Sequence, residues 1–153
     1  RMNPLFYDLQ QSELEDVALL FNQHRFHSGQ EVIRPGVPND KLYLVAAGSL
    51  AWSALDDDGI ETILSAYARG DVFGKLGVLD DTPDTTRVQC LENVIAYSLS
   101  RADFAALVYA KPQVGLAMMR ELANEIRNLT LLAMWFRRTS QGNAEYTPQP
   151  EGS

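Results

Sequence analysis

Between residues 29 and 98 the chain runs in short segments that alternate apolar with polar positions or are rich in β-branched and aromatic residues. Gly29, Gly36, Gly48, Gly59, Gly70 and Gly74 punctuate them. The segments Glu31–Ile33, Lys41–Ala47, Ser49–Leu55, Ile60–Tyr67, Thr85–Cys90 and Asn93–Ser98 read as strands. Short strands at this spacing, separated by turn residues, predict a sandwich or barrel rather than a parallel sheet with crossover helices. Asp57-Asp58-Gly59 predicts a hairpin turn, because glycine accepts positive φ at little cost. Pro35-Gly36-Val37-Pro38-Asn39-Asp40 predicts a loop.

The period changes to that of a helix on both sides of this block. Ser12 followed by Glu15 forms a capping-box pattern for a helix over 13–21, with Leu14, Val17, Ala18 and Phe21 on one face. Ser100 and Asp103 repeat the device for Arg101–Ala110. Pro112 then opens a long helix reaching about Arg138, proline being tolerated in a first turn. Within it Gly115, Met119, Leu122, Ile126, Leu129, Ala133 and Phe136 fall at steps of four and three, a heptad seam. A single stripe can serve packing on the chain's own β block. Here Leu116, Ala123, Leu131, Leu132 and Trp135 widen it, and two faces imply two neighbours: the β block and a second copy. The expectation is a parallel homodimer through Met119, Leu122, Ile126, Leu129, Ala133 and Phe136. Residues 139–153 lack periodicity and read as a disordered tail, leaving one domain over 3–138.

Composition narrows the function classes. The 153 residues suffice for one domain with a real core, and 46% of them are apolar. A net charge of −7 argues against a surface that grips a phosphate backbone. One cysteine, Cys90, excludes an internal disulfide framework, and Cys/His metal spacings are absent, so the cytoplasm is the expected compartment. No apolar run has a membrane-spanning length, and no signal-peptide core precedes the first helix. Arg1 before Met2 reads as an added residue, with Met2 the native start.

The segment 73–88, Phe-Gly-Lys-Leu-Gly-Val-Leu-Asp-Asp-Thr-Pro-Asp-Thr-Thr-Arg-Val, resembles the ligand cassette of a cyclic-nucleotide-binding domain with two charges reversed. That cassette runs Phe-Gly-Glu-Leu, an apolar turn, then Arg-Ser/Thr-Ala-x-Val. The stretches 26–33, 36–45, 47–50 and 70–74 also match in register. Over roughly Leu5 to Phe136 the chain resembles the sensor domain of the catabolite activator protein family. The resemblance implies a mainly β fold with flanking helices: a double-stranded β-helix, or jelly roll, followed by a long C-terminal helix that dimerises and signals. It places a pocket at Phe73, Gly74, Lys75, Leu76, Asp84, Thr85 and Thr86.

In that family the cassette glutamate accepts the ribose 2′-hydroxyl, and the arginine pairs with the cyclic phosphate. Backbone N–H groups of a short helix opening at Gly74 help hold the anion. Lys75 and Asp84 stand at the two charged positions. A carboxylate about 4 Å from a phosphate costs on the order of 4 kcal/mol at an effective dielectric near 20. Loss of the forked arginine bonds adds to this. Together they weaken phosphate binding by about three decades or more. Three readings of the swap stand open. Lys75 and Asp84 pair with each other; or Lys75 serves a different anionic ligand in an altered pose; or both side chains turn to solvent. Arg87 is no replacement, because Thr86, Val88 and Cys90 share the opposite strand face.

Catalytic chemistry finds no constellation. His24 and His27 read as a surface or half-buried pair, and Asp56-Asp57-Asp58 as a solvated hairpin tip lacking the ligands of a calcium loop. Ser49 and Ser53 have no His/Asp context, and Cys90 reads as a small buried hydrophobe. Trp135 and Phe136 read as closing the dimer seam or as a lid on the pocket. The function expected is therefore a non-enzymatic regulatory sensor in signal transduction with a degenerate or re-purposed pocket. It has no cofactor, and its only ligand class is a cyclic nucleotide or other anionic small-molecule effector. No nucleic acid or membrane partner is expected, since fifteen residues after Arg138 cannot make a helix-turn-helix. The alternatives are an interaction or dimerisation module that keeps only the fold, or the sensor half of a transcription regulator.

Overall fold

The alternating segments become eight strands: β1 (Asn22–Phe26), β2 (Glu31–Ile33), β3 (Lys41–Ala47), β4 (Leu50–Leu55), β5 (Glu61–Tyr67), β6 (Val72–Phe73), β7 (Thr86–Cys90) and β8 (Val94–Ser100). The structure is a computed structural model and describes residues 3–6, 9–83 and 85–140. Helices are α1 (Gln11–Ala18), α2 (Lys75–Leu79), α3 (Arg101–Ala110) and α4 (Pro112–Ser140), with a 3-10 turn at Pro4–Phe6. The chain divides into two compact units, Arg1–Met118 and Met119–Ser153.

All strands lie in the first unit and form two antiparallel four-stranded sheets, ordered β1-β8-β3-β6 and β2-β7-β4-β5. Each sheet draws strands from both ends of the block, as the expected jelly roll requires. Pleating sends alternate residues to opposite faces. Tyr43, Val45, Leu50, Phe73, Val88, Cys90, Val94 and Ala96 accordingly meet in one core between the sheets. Tyr43 stacks on Phe73 at 4.8 Å between ring centroids, and Tyr67 stacks on Phe73 at 5.5 Å. Burial at Cys90 pushes its thiol pKa up, so the sulfur stays protonated and apolar. On the other face of β3 and β8, Leu42 lies opposite Leu99, and both are buried where α3 packs on these strands.

Several boundaries differ from the sequence expectation. β1, Asn-Gln-His-Arg-Phe, is absent from it, because a polar run with one aromatic carries no hydrophobic alternation. It forms by pairing along its own whole length with Val94–Ser98 of β8. β6 has only two residues, below the length at which periodicity registers. The first helix begins two residues earlier than its Ser12–Glu15 pattern indicates and ends at Ala18 rather than at residue 21. Its N-cap is Gln10, whose backbone N–H donates to Glu13 Oε1 at 3.0 Å. α4 extends to Ser140. Residues 141–153, most of the expected tail, lie outside the described residues. The Asp56–Asp58 tip uses Asp56 Oδ1 to accept the Asp58 and Ile60 amides, both at 2.9 Å, as in a tight turn. Among the described residues no cluster of His, Cys, Asp and Glu could hold a metal ion. No described helix is long and apolar enough to cross a membrane.

His24 supplies a pH-dependent contribution to this fold. Its Nε2 lies 2.7 Å from Ser98 Oγ and its ring stacks on Phe26. Burial, and then the positive charge of Lys41, hold its pKa below the ordinary imidazole value. Below about pH 6.5 the unfolded chain therefore binds more protons than the folded one. The neutral-His24 contribution is complete above that pH and is lost as pH falls through the folded-state pKa. The urea midpoint is expected to drop between pH 7.5 and 5.5, and less steeply in His24→Asn. Equal slopes in the two proteins would show that His24 is not the source.

Candidate functional site

Two glycines decide where the cassette sits. Gly74 is the N-cap of α2 with φ +85°, a left-handed conformation that side chains with a Cβ resist. A Cβ there would also lie 2.4 Å from Lys41 O. Gly77, inside α2, is closer still: a Cβ would lie 2.2 Å from Asn39 O. The helix backbone thus rests directly on the segment entering β3. Glycine in a helix costs about 1 kcal/mol relative to alanine, and here it permits contact that no larger residue allows. Asn39 braces the same junction, its Nδ2 donating to Lys41 O at 2.8 Å.

Arg101, the first residue of α3, fastens the far end of α2. Its Nε donates to Gly77 O at 3.0 Å, and Nη2 donates to Gly77 O at 2.7 Å, Asp80 O at 2.9 Å and Asn39 O at 3.3 Å. Gly77 O and Asp80 O are carbonyls that the end of a short helix leaves without intrahelical partners, where a cation is the favoured partner. Asn39 O belongs to the segment entering β3. Sequence reading missed this residue. Its only local signal was the Ser100–Asp103 cap, which the structure confirms at 3.1 Å between Asp103 N and Ser100 Oγ.

Lys75 is turned inward, with 7% of its surface exposed. Its Nζ donates to Val72 O at 3.0 Å and lies 5.9 Å from the centroid of the Tyr67 ring. Burying an ammonium is costly unless donors are satisfied. A charge-assisted bond to a carbonyl and an aromatic face, the latter worth about 0.5–2 kcal/mol, offset that cost. The reading in which this side chain points to solvent does not describe it. Asp84, its proposed partner, lies outside the described residues.

The other pocket positions separate. Phe73 is fully buried in the aromatic stack. Thr86 accepts the indole N–H of Trp52 at 2.7 Å. Leu76 and Thr85 meet across a shallow cavity of about 310 Å³, completed by Asp80, Thr82 and Pro83. Arg87 is on the opposite strand face, as its register requires. It donates through Nε and Nη2 to Glu61 Oε2, and Ser53 Oγ donates to the same oxygen at 2.8 Å. Those bonds, Ser53 first and Arg87 next, hold the Glu61 carboxyl below the usual carboxylate range. What remains at the cassette is a buried cation beneath a short helix and a shallow cavity beside it.

Comparison with known proteins bears on these features. The family described as "Cyclic nucleotide-binding domain" matches residues 23–110. The CRP-like cAMP-activated global transcriptional regulator of Mycobacterium tuberculosis is 28% identical over 102 residues, which are 67% of this chain and 46% of that protein. The crystal structure of the Thermus thermophilus catabolite activator protein superposes with a TM-score of 0.81 at 25% identity. It covers 88% of this chain and 63% of that one. The regulatory subunit of a cAMP-independent protein kinase A from Trypanosoma brucei gives a TM-score of 0.69 at 25% identity, covering 77% and 42%. The chain thus spans 42–63% of the length of these three relatives. Those relatives are regulators.

The close packing of α2 makes two substitutions informative. Gly77→Ala is expected to lower stability by about 1–3 kcal/mol, since the added methyl must displace backbone rather than a flexible side chain. Arg101→Ala should cost a similar amount by stranding several carbonyls, about 1–3 kcal/mol. Arg101→Lys should recover only part of it, because an ammonium lacks the planar fork. Urea unfolding measures all three; a neutral Gly77→Ala would show that α2 does not depend on this contact.

Proposed function

We propose that this chain, which belongs to the cyclic nucleotide-binding domain family, is a regulatory sensor module whose cassette no longer reads cyclic AMP. The observation that carries the reading is Lys75. At the position where a ribose 2′-hydroxyl would need an acceptor, the chain has a cation that is itself donating to Val72 O. A lysine ammonium has three donors and no acceptor. Asp84 stands in the sequence where the phosphate-binding arginine belongs, so both side-chain contacts to a cyclic nucleotide are missing. The Trypanosoma relative, the regulatory subunit of a cAMP-independent kinase, supports the idea that the fold can serve regulation without that ligand.

Output through α4 is the second part of the proposal. Along its second-unit portion Met119 is 66% and Ile126 64% exposed, and Leu131, Met134 and Phe136 are also exposed. Trp135 packs edge-on against Phe136 at 4.8 Å. Met119, Ile126 and Phe136 belong to the heptad seam and Leu131 and Met134 lie beside it, an exposed apolar surface that favours a parallel homodimer through the helix. The module would then carry its state to a partner as a change in that helix, either constitutively or in answer to a different anionic effector at Lys75.

Thermal unfolding tests the ligand reading. A ligand at 100-fold its Kd stabilises by about 2.7 kcal/mol, which moves Tm by several degrees in a domain of this size. Cyclic AMP and cyclic GMP at millimolar concentration are expected to give no shift. Lys75→Glu combined with Asp84→Arg is expected to create one. A clear shift by cyclic AMP in the unaltered protein overturns the proposal. Sedimentation tests the helix: a dimer mass is expected at tens of micromolar, with Ile126→Glu giving a monomer. A monomeric mass for the unaltered chain rules the dimer out.

A further inference from the structure

Outside the roll, Leu44 and Tyr97 form the next same-face pair after Leu42 and Leu99 in the β3–β8 register. Leu42 and Leu99 are fully covered, whereas Leu44 and Tyr97 are only half-buried. The helix that should cover them stands off. Phe6 and Phe21 meet edge to face at 6.2 Å between centroids and prop α1 above the sheet. Between them lies a cavity of about 490 Å³, walled by Phe6, Leu14, Val17 and Phe21 on one side and by Leu44 and Tyr97 on the other. That volume falls within the range of small-molecule sites, which are mostly apolar with a few fixed polar groups.

We propose that this cavity is a second small-molecule site, independent of the cassette, for an uncharged and largely apolar molecule bearing one hydrogen-bond acceptor. The charge follows from the walls: no Asp, Glu, Lys, Arg or His is among the described lining residues, so an ion would lose hydration without compensation. The acceptor follows from Tyr97. Its hydroxyl oxygen accepts a long bond from Gln23 Nε2 at 3.4 Å, and its own proton has no acceptor among the described residues. A carbonyl or hydroxyl on the ligand completes it. Asn3, at the other end, is fully engaged: Nδ2 donates to Gly70 O and Oδ1 accepts from Leu5 N, both at 2.9 Å. It pins the 3-10 turn and offers the ligand nothing.

Occupancy of the cavity has a route to the rest of the first unit. Glu13, on α1, accepts from Lys111 Nζ at 2.6 Å, and Lys111 is the residue between α3 and α4. A molecule that lifts or seats α1 therefore acts on the joint from which α4 departs. The site is an effector site that bypasses the altered cassette.

The test uses the full chain with N-phenyl-1-naphthylamine, a neutral apolar fluorophore, and 2-undecanone as competitor. Saturable one-to-one binding is expected, with the ketone displacing the dye and decanoate at pH 8 failing to do so. Tyr97→Phe should weaken the ketone by about two- to tenfold, the loss of one hydrogen bond, and leave the acceptor-free dye unchanged. Leu44→Trp, which fills the cavity, should abolish both. Amide chemical shifts of the unaltered protein decide the location whether or not that variant folds. Ketone-induced changes at residues 11–21, 44 and 97 support the site. Changes confined to α4, shifts that depend on protein concentration alone, or no saturable binding overturn it.

Discussion

The contact between the backbone of α2 and the entrance of β3 fixes the geometry of everything at the cassette. With no Cβ at Gly74 or Gly77, the helix settles onto Asn39 and Lys41 at a distance that excludes any other residue type. That contact sets the point at which the chain leaves β6, and hence the direction in which residue 75 projects. Phe73, two residues earlier, is locked between Tyr43 and Tyr67. A helix held from both ends leaves the side chain at 75 little choice: it is directed to the roll's interior whatever its charge.

Given that constraint, Lys75 is a chemical statement rather than a surface accident. An exposed lysine would have no consequence for the pocket. A buried one, bonded to the Val72 carbonyl beside the Tyr67 ring, puts a donor where the family's cassette has an acceptor. The same logic explains why Arg87 cannot substitute for the missing arginine. Its fork is committed to Glu61 on the outer side of the second sheet, and reaching the interior would require a one-residue slip that exposes Val88 and Cys90.

The sequence reading found the architecture because the roll advertises itself through glycine turns and alternation. It missed β1 because an edge strand recruited by β8 needs backbone pairing, not apolar periodicity, and it missed β6 because two residues have no period. The cap of α1 was misplaced by preferring Ser12, a favoured capping type, over Gln10, which is not; tertiary placement of the helix decided otherwise. At the site, Lys75 and Leu76 were legible as positions but their directions were not. Arg101 was invisible for a physical reason: carbonyls from residues 39, 77 and 80 converge on it only in three dimensions. The cavity under α1 was hidden likewise, since Leu14, Val17 and Phe21 read as an ordinary core face.

Arg101 bonds to α2 solely through main-chain oxygens. Such a clasp is blind to the identity of the side chains it holds in place. Drift at residues 75 and 84 therefore leaves the clasp intact, and the scaffold and its ligand chemistry are inherited as separable traits. In a lineage built on this roll, selection can rewrite what the cassette recognises, or erase it, one charge at a time without first dismantling the fold.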